Sequence, residues 1–265
     1  MKKIVISFIL YTLFSHNAFS QEILAGTVDG SISTSSTGSA IYNIPIEVPK
    51  GLNDLEPQIS LSYESNAGNG IAGWGWNIGG ISSITRVPRN YYYDGTARGV
   101  IYERNDAYAL DGKRLFLISG TEGTSGAIYK FESDDFTEIK AVNVHGTTGP
   151  GYFELRTQEG IIYKYGLSNT SKITYDTAPY AALVWFLDQI QDQFGNIINF
   201  TYEKGNTTYT YLTKIEYGGK INSGIINSNS IEFVYETRTD PIYLHTLKKK
   251  GVVKSLFKFC STIIL

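Results

Sequence analysis

The sequence predicts an all-β protein whose antiparallel strands form part of an open or incomplete β-shell, and three observations predict it. First, the chain carries 20 Tyr, 13 Phe and 27 Gly beside one Met and only 18% charged residues. Aromatic and β-branched side chains suit a pleated, half-buried surface, and Gly, Asn, Asp and Ser supply the turns between strands. Second, segments of alternating polarity recur along the chain while few stretches show a helical period. Third, strand-like segments end on Tyr165, Tyr202, Tyr217 and Tyr235, each with Gly or a polar residue close behind. That loose repeat suits a continuing sheet or shell better than a small closed barrel.

The first twenty residues read as a secretory signal peptide of bacterial type. Lys2 and Lys3 form a positive start, an apolar run from Ile4 to Phe14 is broken only by Ser7 and Thr12, and Ala18-Phe19-Ser20 is a small-x-small pattern ahead of Gln21. The run is too short to cross a bilayer comfortably, a retained membrane anchor being the alternative. Cleavage near Ser20 would deliver a secreted or cell-surface protein, and residues 21–37 form an N-terminal lead-in.

The strands follow in order. Ala40 to Val48 is extended, and Pro45, lacking an N–H, places that strand at an edge or interrupts it there. In Gln58 to Tyr63, Ile59, Leu61 and Tyr63 share a face. The Gly-rich passage from Gly68 to Gly80 permits close backbone approach and puts Trp74 and Trp76 on one side of an extended segment. Asp111-Gly112 reads as a tight turn. Ala127 to Phe131, Tyr152 to Thr157 and Ile161 to Tyr165 alternate, with Glu159-Gly160 turning between the last two. Ala181 to Ile190 is more continuously apolar and is expected to be a strand covered on both faces, a short helix being the alternative. Ile197 to Tyr202, Tyr209 to Tyr217 and Ile231 to Tyr235 continue the pattern, the last as the final clean strand. Residues 243–265 form an atypical apolar tail with interspersed lysines, read as a truncated or frameshifted end, or else as an amphipathic anchor or partner-binding edge.

Charge and chemistry narrow the function. Without residues 1–20 the chain keeps 21 basic and 25 acidic residues, a balance that gives no support to nucleic-acid binding, and no stable membrane span is expected after signal removal. Cys260 is the sole cysteine, so stability rests on burial and backbone pairing rather than on internal disulfides. Only His145 and His245 lie beyond the signal segment, neither in a metal-ligand pattern, and no catalytic residue, metal site or cofactor is expected. Asp134-Asp135, Asp188, Asp192 and Glu203 are the carboxylates from which a hydrolase pair would be drawn, against their ordinary role in turns and at strand edges. The Gly-rich passage lacks the Gly-Lys-Ser/Thr ending of a phosphate loop. Its tryptophans are expected in the core or as an interface wedge, the alternative being a platform for a sugar ring.

The run Gly38-Ser39-Ala40-Ile41-Tyr42-Asn43-Ile44-Pro45-Ile46-Glu47-Val48-Pro49-Lys50-Gly51 resembles the opening of the SpvB/TcaC-type N-terminal domain of toxin-complex B subunits and RHS/YD-repeat-related virulence proteins. Pro57 to Tyr63, Gly68-Asn69-Gly70, Gly73-Trp74-Gly75-Trp76, Gly80 to Arg86, Leu110 to Leu115 and Phe233 to Pro241 follow in that family's order, so residues 38–242 are read as one such β domain. The resemblance implies a non-enzymatic shell module whose partners are other β-shell or RHS-repeat segments and toxin components. Trp74, Trp76, Tyr63 and Arg86 are then its candidate interface or structural residues. Downstream repeats, a self-cleaving region and an effector would need more chain than is present, which implies a fragment. A secreted adhesin or carbohydrate-binding β module is the alternative, and it requires Trp74, Trp76 or a row of tyrosines exposed on a flat patch.

Overall fold

A computed structural model describes residues 29–133, 136–144, 148–175, 178–204, 209–239, 243–244, 249–250 and 254–263, with side chains described through residue 239 apart from 175 and 178–180. The signal-like first twenty residues, the lead-in up to residue 28, His145, His245 and the Asp134-Asp135 pair lie outside the described residues.

Six short strands open the chain: β1 (Ser31–Thr34), β2 (Ala40–Pro45), β3 (Ser60–Glu64), β4 (Asn69–Gly70), β5 (Gly73–Trp74) and β6 (Trp76–Gly79). They form one antiparallel sheet in the order β1-β2-β3-β6-β5-β4. Pro45 sits at the very end of β2, beyond the stretch that β1 covers, where its missing N–H costs no ladder bond.

The rest of the described chain builds a 14-stranded sheet. Its strands are β7 (Ser83–Val87), β8 (Ala107–Leu110), β9 (Lys113–Arg114), β10 (Phe116–Ser119), β11 (Ile128–Lys130), β12 (Glu138–Val144), β13 (Pro150–Arg156), β14 (Ile162–Tyr165), β15 (Lys172–Tyr175), β16 (Ala178–Gln191), β17 (Asn196–Lys204), β18 (Thr210–Lys220) and β19 (Asn229–Thr237). A separate short ladder of β20 (Tyr243–Leu244) and β21 (Lys249–Lys250) precedes the last strand of the large sheet, β22 (Lys254–Ile263). All the pairings are antiparallel, as hairpin-connected strands require.

The 14-residue strand β16 organises this sheet. Its centre, Val184–Phe186, pairs with β7, and its C-terminal half pairs with β14 on one side and β17 on the other. From β7 the pairing runs through β8 to β9, and only Leu115 separates β9 from β10. From β10 it continues through β11, β12 and β13 to β14, and so back to β16. This circuit is a nearly closed barrel with one unsealed seam, where β10 leaves β8. From β16 the sheet also continues outward as an open wing, β17-β18-β19-β22. Ala181 to Ile190 is thus a strand, and it is shared by both parts.

Two turns show why the chain reverses where it does. Asp111 and Gly112 both adopt positive φ (48° and 79°) between β8 and β9, the twist a two-residue hairpin needs. Between β13 and β14, Gly160 has φ 80° and its N–H donates to the Thr157 carbonyl at 3.0 Å. At the other end of the molecule the expectation fails. Ile231 to Tyr235 is not the final strand, because β22 pairs with β19 from Asn229↔Ile263 to Thr237↔Lys254. Lys254 and Lys258, set among apolar residues, break the two-residue alternation that would mark the segment as a strand in the sequence.

Period-two burial fills the barrel. Ile139 and Ala141 of β12, Phe153 and Leu155 of β13 and Tyr129 of β11 point inward, while their neighbours face out. At the centre Trp185 is fully buried, its ring 5.1 Å from Phe153 and 5.8 Å from Tyr108, both edge-to-face. Tyr108 also packs on Tyr129 at 5.7 Å. Such edge-to-face contacts align positive ring edges with negative faces and add to the burial itself.

Candidate functional site

The side chains singled out from sequence fall in two places. Tyr63 and Trp76 are cross-strand partners of β3 and β6, their rings 5.3 Å apart, and Tyr42 of β2 adds an edge-to-face contact to Trp76 at 6.5 Å. Trp74 does not join them. Gly75 (φ 77°) turns the chain so that Gly73 pairs with Trp76, which puts the two tryptophans on different strands. Trp74 is 70% exposed and Trp76 half-buried, so they neither share a side of one extended segment nor form a joint platform. Alternation along a strand holds only where the chain stays extended, and the glycine breaks it.

Arg86 lies in the barrel with its side chain wholly buried. Its Nε donates to the Ala182 carbonyl at 2.6 Å, and its terminal nitrogens donate to the carbonyls of Glu103 and Thr148 and to Asp106 Oδ2 at 3.1 Å. The guanidinium also lies 5.6 Å from the ring centroid of Tyr108 and 5.4 Å from that of Trp185. Asp106 in turn accepts the backbone N–H groups of Ile101, Tyr102 and Glu103. One ion pair therefore ties β7, the loop before β8, the loop before β13 and β16 together. Each nitrogen of the guanidinium donates to a protein acceptor, the condition for a buried charge to be tolerated.

Between the small sheet and the wing lies an apolar cavity of about 140 Å³, lined among others by Ile71, Ile78, Phe186, Tyr202, Leu212 and Tyr235. Its phenols are engaged: Tyr202 Oη donates to the Leu187 carbonyl and Tyr235 Oη to the Leu212 carbonyl. Burial pushes the Tyr202 and Tyr235 phenols well above the ordinary tyrosine range, and that of the adjoining Tyr209 to about 12. Polar bonds also tie β4 and the loop after β2 to the wing and the residue that follows β19. Arg238 donates to the Gly70 carbonyl at 2.6 Å and to Asn69 Oδ1, Tyr217 Oη donates to the Pro49 carbonyl, and Asn229 reaches the Lys50 carbonyl. Sequence reasoning had no signal for these bonds, which join residues more than 160 positions apart.

The carboxylates considered for chemistry hold backbone instead. Asp188 accepts from Leu167 N, Ser168 N and Ser171 Oγ, and burial holds its carboxyl above the usual range against those hydrogen bonds. Asp192 accepts the N–H groups of Phe194 and Asn196, closing the turn into β17. Glu203 lies exposed on β17. Among the described residues no group of three or more His, Cys, Asp or Glu side chains is placed to hold a metal ion, and no helix is long and apolar enough to cross a membrane.

The architecture is all-β: a nearly closed barrel with an open antiparallel wing and a small sheet laid against it. The chain belongs to the SpvB family, described as Salmonella virulence plasmid 65kDa B protein, whose model matches residues 34–218. No curated protein sequence matches it. Its fold is similar to the N-terminal domain of the effector protein SpvB from Salmonella typhimurium strain LT2, with a TM-score of 0.64 and 17% identity over 80% of this chain and 85% of that one. It is also similar to a chain of the TcdB2-TccC3 crystal structure (TM-score 0.63, 18% identity) and to one of the Photorhabdus luminescens Tc holotoxin pore (TM-score 0.62, 18% identity). These matches cover 80% and 81% of this chain, which spans 12% of the length of each of those two.

Proposed function

We propose that this chain is a non-catalytic β-shell module of a secreted toxin-complex-like virulence protein, in which residues 38–242 form the module and further β structure continues it. The observation that carries this reading is the open wing. The large sheet stops at β22, whose outer edge has no partner among the described residues, although every other strand of the wing is paired on both sides. An unpaired edge of ten residues is a row of backbone donors and acceptors that another strand satisfies. Family membership and the likeness to the toxin-complex chains support the same reading. Its partners are other shell or RHS-repeat segments and toxin components, and the signal-like first twenty residues support export with cleavage near Ser20.

In this reading Arg86 is a structural residue of the barrel, Tyr63 and Trp76 brace the small sheet, and exposed Trp74 is an interface wedge. The carbohydrate-binding alternative based on the tryptophan pair lacks its platform, since Trp76 packs on tyrosines. Light scattering on the exported chain tests the proposal. Concentration-dependent self-association is expected, weakened by Trp74→Ala, and a monomer at every concentration overturns the reading.

A further inference from the structure

We propose that the cavity between the small sheet and the wing is a binding site for a small neutral arene, a ligand of about six to nine heavy atoms. This site goes beyond the shell reading and does not rest on it. Its volume of about 140 Å³ is close to that of an apolar void that stays dry and takes up benzene.

The walls are aromatic and already braced. Phe186 of β16 and Tyr202 of β17 stack with their ring centroids 5.7 Å apart and 28° between their planes. Tyr235 of β19 meets Tyr211 edge-to-face at 5.2 Å, and Tyr211 meets Tyr209 the same way at 5.4 Å. Leu212 of β18 completes the side given by the wing, and Ile71 and Ile78 close the side given by the small sheet. Rings held by other rings lose little freedom when a ligand enters, so the ordering cost of binding is small.

The polar atoms of these walls are turned to the protein's own backbone. The Tyr202 and Tyr235 phenols donate to the carbonyls of Leu187 and Leu212, and the Thr210 hydroxyl donates to the Thr170 carbonyl. Asn77 Oδ1 accepts the Ile71 N–H at 3.2 Å. Among the described residues no charged side chain lines the cavity, and the neighbouring Arg238 is directed to the Gly70 carbonyl and Asn69. An ion entering here would give up its hydration and meet no counter-charge, so the lining selects a neutral ligand. Because the two sheets supply opposite walls, an occupant also ties the small sheet to the wing.

Thermal denaturation of the exported chain with benzene, indole or benzoate tests this. Benzene or indole should raise the midpoint saturably, and benzoate should bind at least about tenfold more weakly. Leu212→Phe fills the cavity from the wing and Ile78→Phe from the small sheet, and each should abolish the shift. Ile78 is only half-buried, so its variant decides the matter if Leu212→Phe does not fold. Hydrogen exchange with the arene bound should slow more in β4 to β6 than in β11 to β13. No saturable shift with either arene, a shift that survives filling, or binding without that extra protection in β4 to β6 overturns the proposal.

Discussion

The barrel and the small N-terminal sheet use the same residue types for opposite ends. In the barrel, Trp185, Tyr108, Phe153 and Tyr129 are fully buried against one another. In the small sheet, Tyr63 and Trp76 pack at a tilt as cross-strand partners yet stay half-exposed, and Trp74 projects into solvent. The barrel is stabilised by its own interior, because its sheet curls until one face is enclosed. The small sheet has no enclosed face of its own and depends on bonds to the wing. The barrel thus supplies an interior of its own, and the small sheet is a layer attached to the wing.

The comparison breaks most visibly at the barrel centre. Trp185→Ala should cost about 3–5 kcal/mol, read as a lowered denaturant midpoint for the whole chain. A loss under about 1 kcal/mol would mean that this core is not the stabilising unit. Arg86→Ala should cost about 3 kcal/mol, because Asp106 stays buried with its backbone donors and keeps only the longer contact to Arg98 as a cation partner. At Gly166 (φ 72°) an added Cβ would lie 2.2 Å from Trp185 Cδ1, so Gly166→Ala should destabilise by about 2 kcal/mol or more and perturb the tryptophan near-ultraviolet signal.

Arg238→Ala sharpens the contrast from the other side. It should loosen the small sheet by about 1.5–3 kcal/mol, seen as faster hydrogen exchange in β4 and β5 with unchanged protection in β11 to β13. Equal loss of protection in both regions would remove the distinction between them.

Asp188 gives the smallest effect. Its folded-state carboxyl is held above the unfolded value by burial, so folding favours the protonated form. Its contribution is fully present below the unfolded pKa and is lost as pH rises through the folded one. Asp188→Asn should therefore flatten the stability profile over that acidic window, measured by denaturant titration at successive pH values.

Much of this was legible in local sequence. The Asp111-Gly112 and Glu159-Gly160 turns, the interrupting Pro45 and the alternating strands from Ala127 to Tyr235 follow from the φ preference of glycine, the missing N–H of proline and the two-residue period of a strand. The ordered motifs between Gly38 and Pro241 carried the family resemblance. Other features were not legible, because they depend on which distant strands meet. The apolar run of β16 does not say that one edge of its C-terminal half pairs into the barrel while the other edge opens a wing. Nor does it say that Arg86 would find four acceptors from three separate segments, or that Gly75 would part Trp74 from Trp76. By itself the sequence determined export-type patterning, the strand class and the turns, since each rests on neighbours a few residues apart. The tertiary structure alone decided which aromatics are enclosed and which face water, because curvature and strand pairing are set by contacts across the whole sheet.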